Sequence, residues 1–578
     1  MAGLTYTPQA VRAAPRFGWR DPLLFLAVFG LIASTLRLGQ QMKAPFSPAL
    51  PMLIDLSPMA LPGYAARSLL RMFIAFVASI LFTLVYGYVA AYNRRAEKIL
   101  VPLLDILQSV PVLGFLSVTV TGFMALFPGS LLGLECACLF AIFTGQAWNM
   151  TFSFYQSLKV IPTELQEAAI VYRLTWWQRF IKLEVPYSMI GLVWNGMMSF
   201  GGGWFFLAAS EAISVLNNNY KLPGIGSYMA SAVEKGDTRA IGWAIVTMVL
   251  IVVLVDQLFW RPVVAWSHKF KFEQIEGGQE PTSAVLDLIR KSALADWVEH
   301  NLLLRVGRSL DGLTRSGEAL ARGAPMSTVL RGILNAIAAL VLGALLIYAV
   351  IRGVGLLRTE MTWTMLLEVV GLGLLTLMRV STMIVVATLI WTPIGVWIGF
   401  SARLARIAQP LVQIGASFPA NLLFPVVVLG FIRVHVDLNW GSVLLLALGT
   451  QWYILFNVIA GASAVPADLR EAALVFHLKG WKLWRTLILP AIFPSWVTGA
   501  LTASGGAWNA SIVAEVASWG SHKLTARGLG AYIAAATEKG DWPAILVGIM
   551  VMCIFVVMLN RLVWRPLYAI AEDRYRMG

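Results

Sequence analysis

The chain has 578 residues, of which 58% are hydrophobic and 13% charged, against roughly 45–50% and about 25% in an ordinary soluble domain. That balance, with a mean hydropathy of +0.74, excludes a soluble globular enzyme and describes an all-α polytopic membrane protein. Lys and Arg outnumber Asp and Glu by 44 to 30, an excess that in the short loops between spans reports sidedness rather than affinity for nucleic acid.

Taken in chain order, Arg12, Arg16 and Arg20 precede an apolar run from Pro22 to Leu36. No convincing small-residue cleavage pattern follows, so a retained first span is expected. Apolar stretches near 68–92, 101–125, 130–150, 187–211 and 240–260 complete six candidate spans. The long polar segment 263–329 comes next, and its Leu286, Ile289, Leu294 and Trp297 stand at roughly helical spacing. Both short amphipathic helices on the membrane surface and a solvated linker fit that pattern. Six more stretches, near 330–351, 376–400, 409–432, 441–462, 491–515 and 542–562, bring the expectation to about 12 transmembrane helices. The expected organisation is a first half over 1–262, a linker over 263–329 and a second half over 330–578. Cys136, Cys138 and Cys553 all lie inside apolar stretches. No Cys/His cluster has metal-ligand spacing, so neither a disulfide framework nor a metal site is expected.

Basic residues set the orientation, because Lys and Arg in short loops resist translocation. With the N-terminus inside, the segments 93–98, 151–186, 261–329, 401–408, 463–490 and the C-terminal tail all face the cytoplasm. Both termini are then cytoplasmic in a multi-pass membrane protein.

The two halves repeat one another. Pro162, Glu167, Ala168, Ala169, Trp177 and Pro186 recur as Pro466, Glu471, Ala472, Ala473, Trp481 and Pro490, each 304 residues later. The same offset joins Trp204 to Trp508, Glu211 to Glu515, Gly224 to Gly528 and Gly226 to Gly530. Upstream it becomes 308, matching Arg71 to Arg379 and Pro111 to Pro419. An even number of spans per half gives both repeats the same orientation, which suits a transporter with a pathway between two parallel units.

Between the fourth and fifth span of each half lies a loop too long for a minimal connection, 151–186 and 463–490. Pro162 and Pro466 start a short helix, and acidic residues in its first turns suit the positive end of the helix dipole. Leu165, Ala168, Ala169 and Tyr172 form its expected apolar face, matched by Leu469, Ala472, Ala473 and Phe476. Each loop then runs through Leu183 to Pro186, or Leu487 to Pro490, into an apolar span. One isolated Glu-Ala-Ala would be an ordinary surface helix, but two copies on the same inferred side are specific.

These residues resemble the coupling loop of permease subunits of binding-protein-dependent ABC importers, whose pattern is Glu-Ala-Ala, three residues, Gly, nine residues, Ile-x-Leu-Pro. Arg173 and His477 stand at the Gly position, where a helix would lose its easiest left-handed cap. The resemblance is strongest to the nitrate, sulfonate, taurine and bicarbonate uptake group in a duplicated, fused form, and covers about 65–262 and 373–566. It implies import of a small solute, an anion by the group's name, by alternating access. It also implies two cytoplasmic ABC ATPase subunits carrying ATP and Mg, and an external substrate-binding protein. ATPase coupling would fall to Glu167, Ala168, Ala169, Arg173, Glu471, Ala472, Ala473 and His477. Trp204 and Glu211 with Trp508 and Glu515 resemble the group's fifth-span Trp and Glu, and join Asn509, Arg71 and Arg379 as pathway candidates.

The plainer readings differ. Glu211 and Glu515 suit a structural or gating role better than contact with an anion, and Arg71 and Arg379 are placed to snorkel to water at the outer start of a span. No Gly-Lys dipeptide occurs, so the chain has no P-loop and no ATPase site of its own. The five histidines are scattered without a catalytic pattern. The competing reading is a secondary transporter with parallel repeats, in which Glu211 and Glu515 would carry ion coupling.

Overall fold

The computed structural model describes residues 20–42, 53–215, 218–270, 283–298, 362–519 and 522–575, with isolated positions elsewhere. In the first repeat the helices are α1 (Arg20–Gln41), α2 (Leu61–Tyr92), α3 (Arg94–Ser109), α4 (Leu116–Leu126), α5 (Leu132–Lys159), α6 (Thr163–Val171), α7 (Trp176–Arg179) and α8 (Val185–Glu211). A hairpin of β1 (Ala212–Val215) and β2 (Asn218–Lys221) follows, then α9 (Ile225–Glu234), α10 (Thr238–Val255) and α11 (Arg261–Ser267). The linker contributes α12 (Ala284–Arg290) and α13 (Ala293–Val298).

The second repeat reproduces the series from α2 to α11. It comprises α14 (Trp363–Gly399), α15 (Ala402–Ser417), α16 (Phe424–Val434), α17 (Leu438–Ser463), α18 (Ala467–Val475), α19 (Gly480–Leu483) and α20 (Leu489–Ala514). The hairpin of β3 (Val516–Trp519) and β4 (His522–Thr525) leads to α21 (Leu529–Lys539), α22 (Trp542–Leu559) and α23 (Arg565–Tyr575). The hairpins are antiparallel, with Ala212 opposite Lys221 and Val516 opposite Thr525. They were not legible in the hydropathy pattern, because four-residue strands continue directly from apolar helices.

Among the described residues, six helices are long and apolar enough to cross a bilayer: Pro58–Tyr92, Thr238–Phe270, Trp363–Gly399, Leu438–Ser463, Gly480–Ala514 and Trp542–Arg574. The helices α1, α5 and α8, of 22, 28 and 27 residues, also have the length of a crossing. Residues 330–351, expected as the seventh span, lie largely outside the described residues. Leu81, Val85, Leu389 and Ile554 are more than half exposed, as lipid-facing side chains should be.

The third and ninth expected spans, 101–125 and 409–432, are corrected. Neither is straight: Arg94–Gln108 and Val112–Leu126 meet at 87°, and α15 stops at Ser417 before α16 begins at Phe424. The cause is local. A residue preceding proline is pushed out of the helical region, and Val110 before Pro111 (ψ 125°) and Phe418 before Pro419 (ψ 128°) are both extended. Among the described residues a five-residue π turn also recurs at Phe180–Glu184, Asp256–Trp260, Trp484–Ile488 and Asn560–Trp564. Each ends two residues before a proline (Pro186, Pro262, Pro490 and Pro566). Proline has no N–H and its ring collides with the carbonyl four residues back, and widening the turn removes both conflicts without ending the helix.

The chain divides into two compact units, one of Met1–Met42, Ser153–Asn195 and Leu254–Val350, the other of Lys43–Phe152, Gly196–Val253 and Ile351–Gly578. In the first unit the buried Asp21 at the start of α1 accepts from Gly18 N and Ser292 Oγ, both at 2.7 Å. Phe154 packs edge-on against Phe180, and Tyr187 donates to the Val160 carbonyl, closing the loop that carries α6. In the second unit Met72, Ala75, Ala137, Ile142, Phe200 and Leu207 are buried in the first repeat's portion of the core. Met383, Ile454, Val458, Val497 and Ala500 are buried in the second repeat's portion.

Candidate functional site

The two loop helices, α6 and α18, are each described within their own unit. Each is entered through an extended proline, Pro162 or Pro466. A side chain four residues on closes the entry: Gln166 donates to the Ile161 carbonyl at 2.9 Å, and Arg470 to the Val465 carbonyl at 3.1 Å. Ala169 and Ala473 are buried, while Glu167 and Glu471 are exposed. Tyr172 and Phe476, expected on the buried face, are instead 79% and 75% exposed. The last turn swings them outward beside Ile170 and Val171, or Leu474 and Val475, which are also exposed. Each helix thus presents an outward apolar tip, and its small residues Ala169 and Ala473 pack inward against the chain itself.

Arg173 and His477 take the left-handed conformation that glycine would have supplied, both with φ 49°. Leu174 N reaches the Ala169 carbonyl (3.0 Å) and Arg173 N the Ile170 carbonyl (2.9 Å). Leu478 and His477 repeat the pair with Ala473 and Leu474. This is the 6→1 and 5→2 bonding of a Schellman cap, so the cap is kept without its glycine, at a backbone cost of about 1–2 kcal/mol. Beyond it the copies diverge: Thr175 and Gln178 form a capping box ahead of α7, whereas Lys479 provides no side-chain cap.

Within the second unit lie two buried arginine clusters. Arg71 on α2 is 0% exposed, so it does not snorkel. Its Nε and Nη2 donate to the two oxygens of Glu135 on α5, both at 2.6 Å. Its Nη1 donates to Glu211 Oε1 (2.7 Å) and the Pro223 carbonyl (3.0 Å). Glu211 also accepts from Ser68 Oγ (2.6 Å) and Gly226 N (2.7 Å), and Ser68 Oγ accepts from Ile225 N. Half-buried Arg67, one turn before Arg71, adds its charge near Glu135.

The second cluster keeps the plan and changes one partner. Arg379 on α14 donates from Nη1 to Glu515 Oε1 (2.9 Å) and from Nη2 to the Arg527 carbonyl (2.9 Å). Where Glu135 stood, Asn439 accepts instead, through its carbonyl to Nε (3.0 Å) and its Oδ1 to Nη2 (2.9 Å). Thr376 replaces Ser68, donating to Glu515 (2.7 Å) and accepting from Leu529 N (2.9 Å). Each cluster joins three helices and the loop ahead of α9 or α21. Gly224 and Gly528 must be glycine, since a Cβ would overlap the Glu211 or Glu515 carboxylate.

Trp204 and Trp508 are 1% exposed. The first stands edge-on to Phe200 and the second stacks on Phe555, so both are packed side chains. Asn509 occupies the repeat position of Phe205 and accepts from Val112 N at 2.7 Å, at the break before α4. Reciprocally, Asn421 Nδ2 at the break before α16 donates to the Phe205 carbonyl at 3.2 Å. Close approach is helped by Gly201, packed on Ser417, and Gly202, packed on Tyr453. A cavity of about 340 Å³ opens beside these contacts, lined by β1–β2, α9, Asn421, the first part of α16 and β3.

Sequence reasoning missed Glu135, Asn439, Ser68, Thr376 and Asn421. The signal for the first four was present, since Glu135 and Asn439 are 304 apart and Ser68 and Thr376 are 308 apart. Among the described residues no group of His, Cys, Asp and Glu could hold a metal ion.

The family described as "Binding-protein-dependent transport system inner membrane component" matches residues 83–259 and again 391–577. Among curated relatives, a nitrate import permease of Leptolyngbya laminosa is 25% identical over 187 residues, 32% of this chain and 63% of its own length. A putative aliphatic sulfonates transport permease of Bacillus subtilis is 29% identical over 30% of this chain and 63% of its own length. The taurine transport system permease of Escherichia coli is 25% identical over 32% and 63%. The chain therefore spans just under two thirds of the length of each of these relatives.

Proposed function

This chain belongs to the family of inner membrane components of binding-protein-dependent transport systems, matched once in each repeat, and from that premise we propose that it is the fused permease of an ATP-driven importer. Its cargo is a small solute bearing an anionic group. The observation that carries this reading is the duplicated loop helix, which ends both times in a left-handed turn and an outward apolar tip. An exposed apolar patch on an otherwise polar loop marks a docking surface. Two cytoplasmic ATPase subunits, carrying ATP and Mg, would seat on these tips, with Glu167 and Glu471 at the rim. Both loops and both termini then face the cytoplasm.

Alternating access requires partners that bind the permease's states differently. ATP-bound nucleotide domains would bias one state through α6 and α18, and a loaded substrate-binding protein would bias it from outside. Rigid-body motion of a loop helix reaches the bundle through α5 and α8, or α17 and α20, which flank it in sequence. Arg71 with Glu211 and Arg379 with Glu515 act as clamps that keep each repeat's outer end rigid while the inner ends move. Trp204 and Trp508 pack behind the pathway, and Asn509 lies where the two repeats touch.

A secondary transporter would need buried carboxylates that take up and release protons or sodium. Glu211 and Glu515 are each held by an arginine, a hydroxyl and a backbone N–H, an arrangement that favours fixed structural carboxylates. The test is biochemical. Purified chain alone should take no ATP photolabel, while its complex with the ATPase subunits should hydrolyse ATP faster when loaded binding protein is added. Specific photolabelling of the isolated chain, or solute uptake that continues without the ATPase, would refute the assignment.

A further inference from the structure

The long helix α20 of the second repeat contains no Asp, Glu, Lys, Arg or His, yet one side of it is polar. Thr498, Thr502, Gly505 and Asn509 fall within an arc of about 60° at 3.6 residues per turn, and none of the four is buried. The neighbours of α20 fix where that side looks. Asn509 accepts from Val112 N at 2.7 Å, and a Cβ on Gly114 would lie 3.6 Å from Ile512 Cδ1, so the break before α4 covers one flank. On the other flank stands Tyr453 of α17, whose ring would be 3.5 Å from a Cβ on Gly506 and whose hydroxyl would be 3.4 Å from a Cβ on Gly202 of α8. The polar side therefore opens between the repeats rather than onto lipid.

The two repeats line this space unequally. The equivalent positions on α8 are Trp194, Met198, Gly201 and Phe205, three large apolar side chains in place of two hydroxyls and an amide. A Cβ on Gly505 would meet nothing within 4 Å, whereas one on Gly201 would come 2.8 Å from Ser417 Oγ. The space is open beside α20 and filled beside α8. Thr498 and Thr502 donate to the carbonyls four residues back, those of Pro494 (3.1 Å) and Thr498 (2.9 Å). Those carbonyls also accept the helix's own N–H groups, so rotation about one bond frees each hydroxyl for a solute without stranding its former acceptor.

We propose that the solute passes along α20 alone, on a one-sided neutral track in which Thr498 and Thr502 hand it on by hydrogen bonds. The α8 side, closed by Ser417 on Gly201, takes no part. The track starts below Asn509, whose bond to Val112 shuts it, and runs toward the loop helix α18. Its lack of charge suits passage, because conduction needs binding strong enough to admit a solute and weak enough to release it. The inference rests on the permease reading and adds to it the wall that carries the solute.

The experiment uses the full-length chain with its ATPase subunits in nanodiscs, with Cys136, Cys138 and Cys553 replaced by alanine. The probe is a methanethiosulfonate reagent bearing a sulfonate. Thr498→Cys, Thr502→Cys and Gly505→Cys should label at least about tenfold faster than Met198→Cys and the lipid-facing Leu389→Cys, since a thiol held in apolar surroundings stays protonated and unreactive. Trapping ATP should lower the α20 rates as the loop-helix side closes. Equal rates at Met198 and Thr502, or α20 rates no higher than at Leu389, would overturn the one-sided track. Uptake of nitrate, ethanesulfonate and taurine then tests the hydroxyls. For whichever probe the parent carries, Thr498→Val combined with Thr502→Val should cut the rate about three- to tenfold, and Met198→Ala less than about twofold. A monodisperse double variant that transports at the parental rate would overturn the hydroxyl relay, and if the parent carries none of the three, the labelling decides. Reactive α20 positions that ignore trapped ATP would leave the track standing and count against the ATP-driven permease. Unreactive α20 positions in a complex that still transports would do the reverse.

Discussion

The Arg71 and Arg379 clusters occupy equivalent places in the two repeats, and they differ by a whole ion pair rather than by a charge. Around Arg71 stand Arg67, Glu135 and Glu211; at the same positions around Arg379 stand Leu375, Asn439 and Glu515. Both sets are balanced, two against two in the first and one against one in the second. The lesson concerns what the architecture requires. An arginine bridging the Glu211 or Glu515 carboxylate to the loop before α9 or α21 is kept in both repeats, whereas the link to α5 or α17 can be ionic or a neutral amide. Removing one member of a buried ion pair is far more damaging than exchanging the whole pair, because the survivor is left charged in a poor solvent.

The largest expected effect follows directly. Arg71→Met strands two carboxylates of 2% exposure or less and should destabilise the first repeat by about 3–5 kcal/mol, enough to lower the yield of folded protein. Arg379→Met strands one and should cost less. Thermal unfolding in detergent, followed by size-exclusion chromatography, ranks the two, and equal losses would break the comparison. A smaller effect sharpens it: Glu135→Asn alone should cost about 1–3 kcal/mol, and adding Arg67→Leu should recover at least about 1 kcal/mol of that. Strictly additive losses in this double-mutant cycle would mean that Arg67 and Glu135 are not coupled.

Much of this plan was legible in the sequence, for identifiable reasons. A repeat at a fixed offset survives in single residues such as Trp204 and Trp508, so duplication, parallel halves and both loop helices could be read without coordinates. The broken third span could not be read from hydropathy, because the segment is mainly apolar on both sides of the bend, over Ile99 to Leu107 and over Val112 to Leu126. The signal was Pro111, matched by Pro419, and its effect on the preceding residue. The clusters escaped for a different reason. An arginine near a span's end can snorkel, and only tertiary packing brings Glu135, 64 residues away, into bonding distance of Arg71. Tyr172 was misplaced because helical periodicity was carried through a residue where the helix already ends.

The smallest expected effect compares the loop helices rather than the clusters. Arg173→Gly and His477→Gly should each stabilise by about 0.5–1 kcal/mol, the left-handed strain relieved less the extra entropy of glycine in the unfolded chain. The two gains should match within error, since both residues sit at φ 49°. A gain at one site alone would show that the loops are not equivalent. Hydrogen exchange at Leu174 and Leu478, whose N–H groups close the caps, reads the two sites separately.

The most direct measurement concerns docking on those tips. A photo-crosslinking amino acid placed at Tyr172 or at Phe476, both exposed, would be activated in membranes containing the assembled transporter, with and without trapped ATP. If α6 and α18 are coupling helices, both positions should crosslink to an ATPase subunit, with yields that change when ATP is trapped. Crosslinks from neither position, in membranes that still take up solute at the normal rate, would contradict the coupling role on which the proposed function rests.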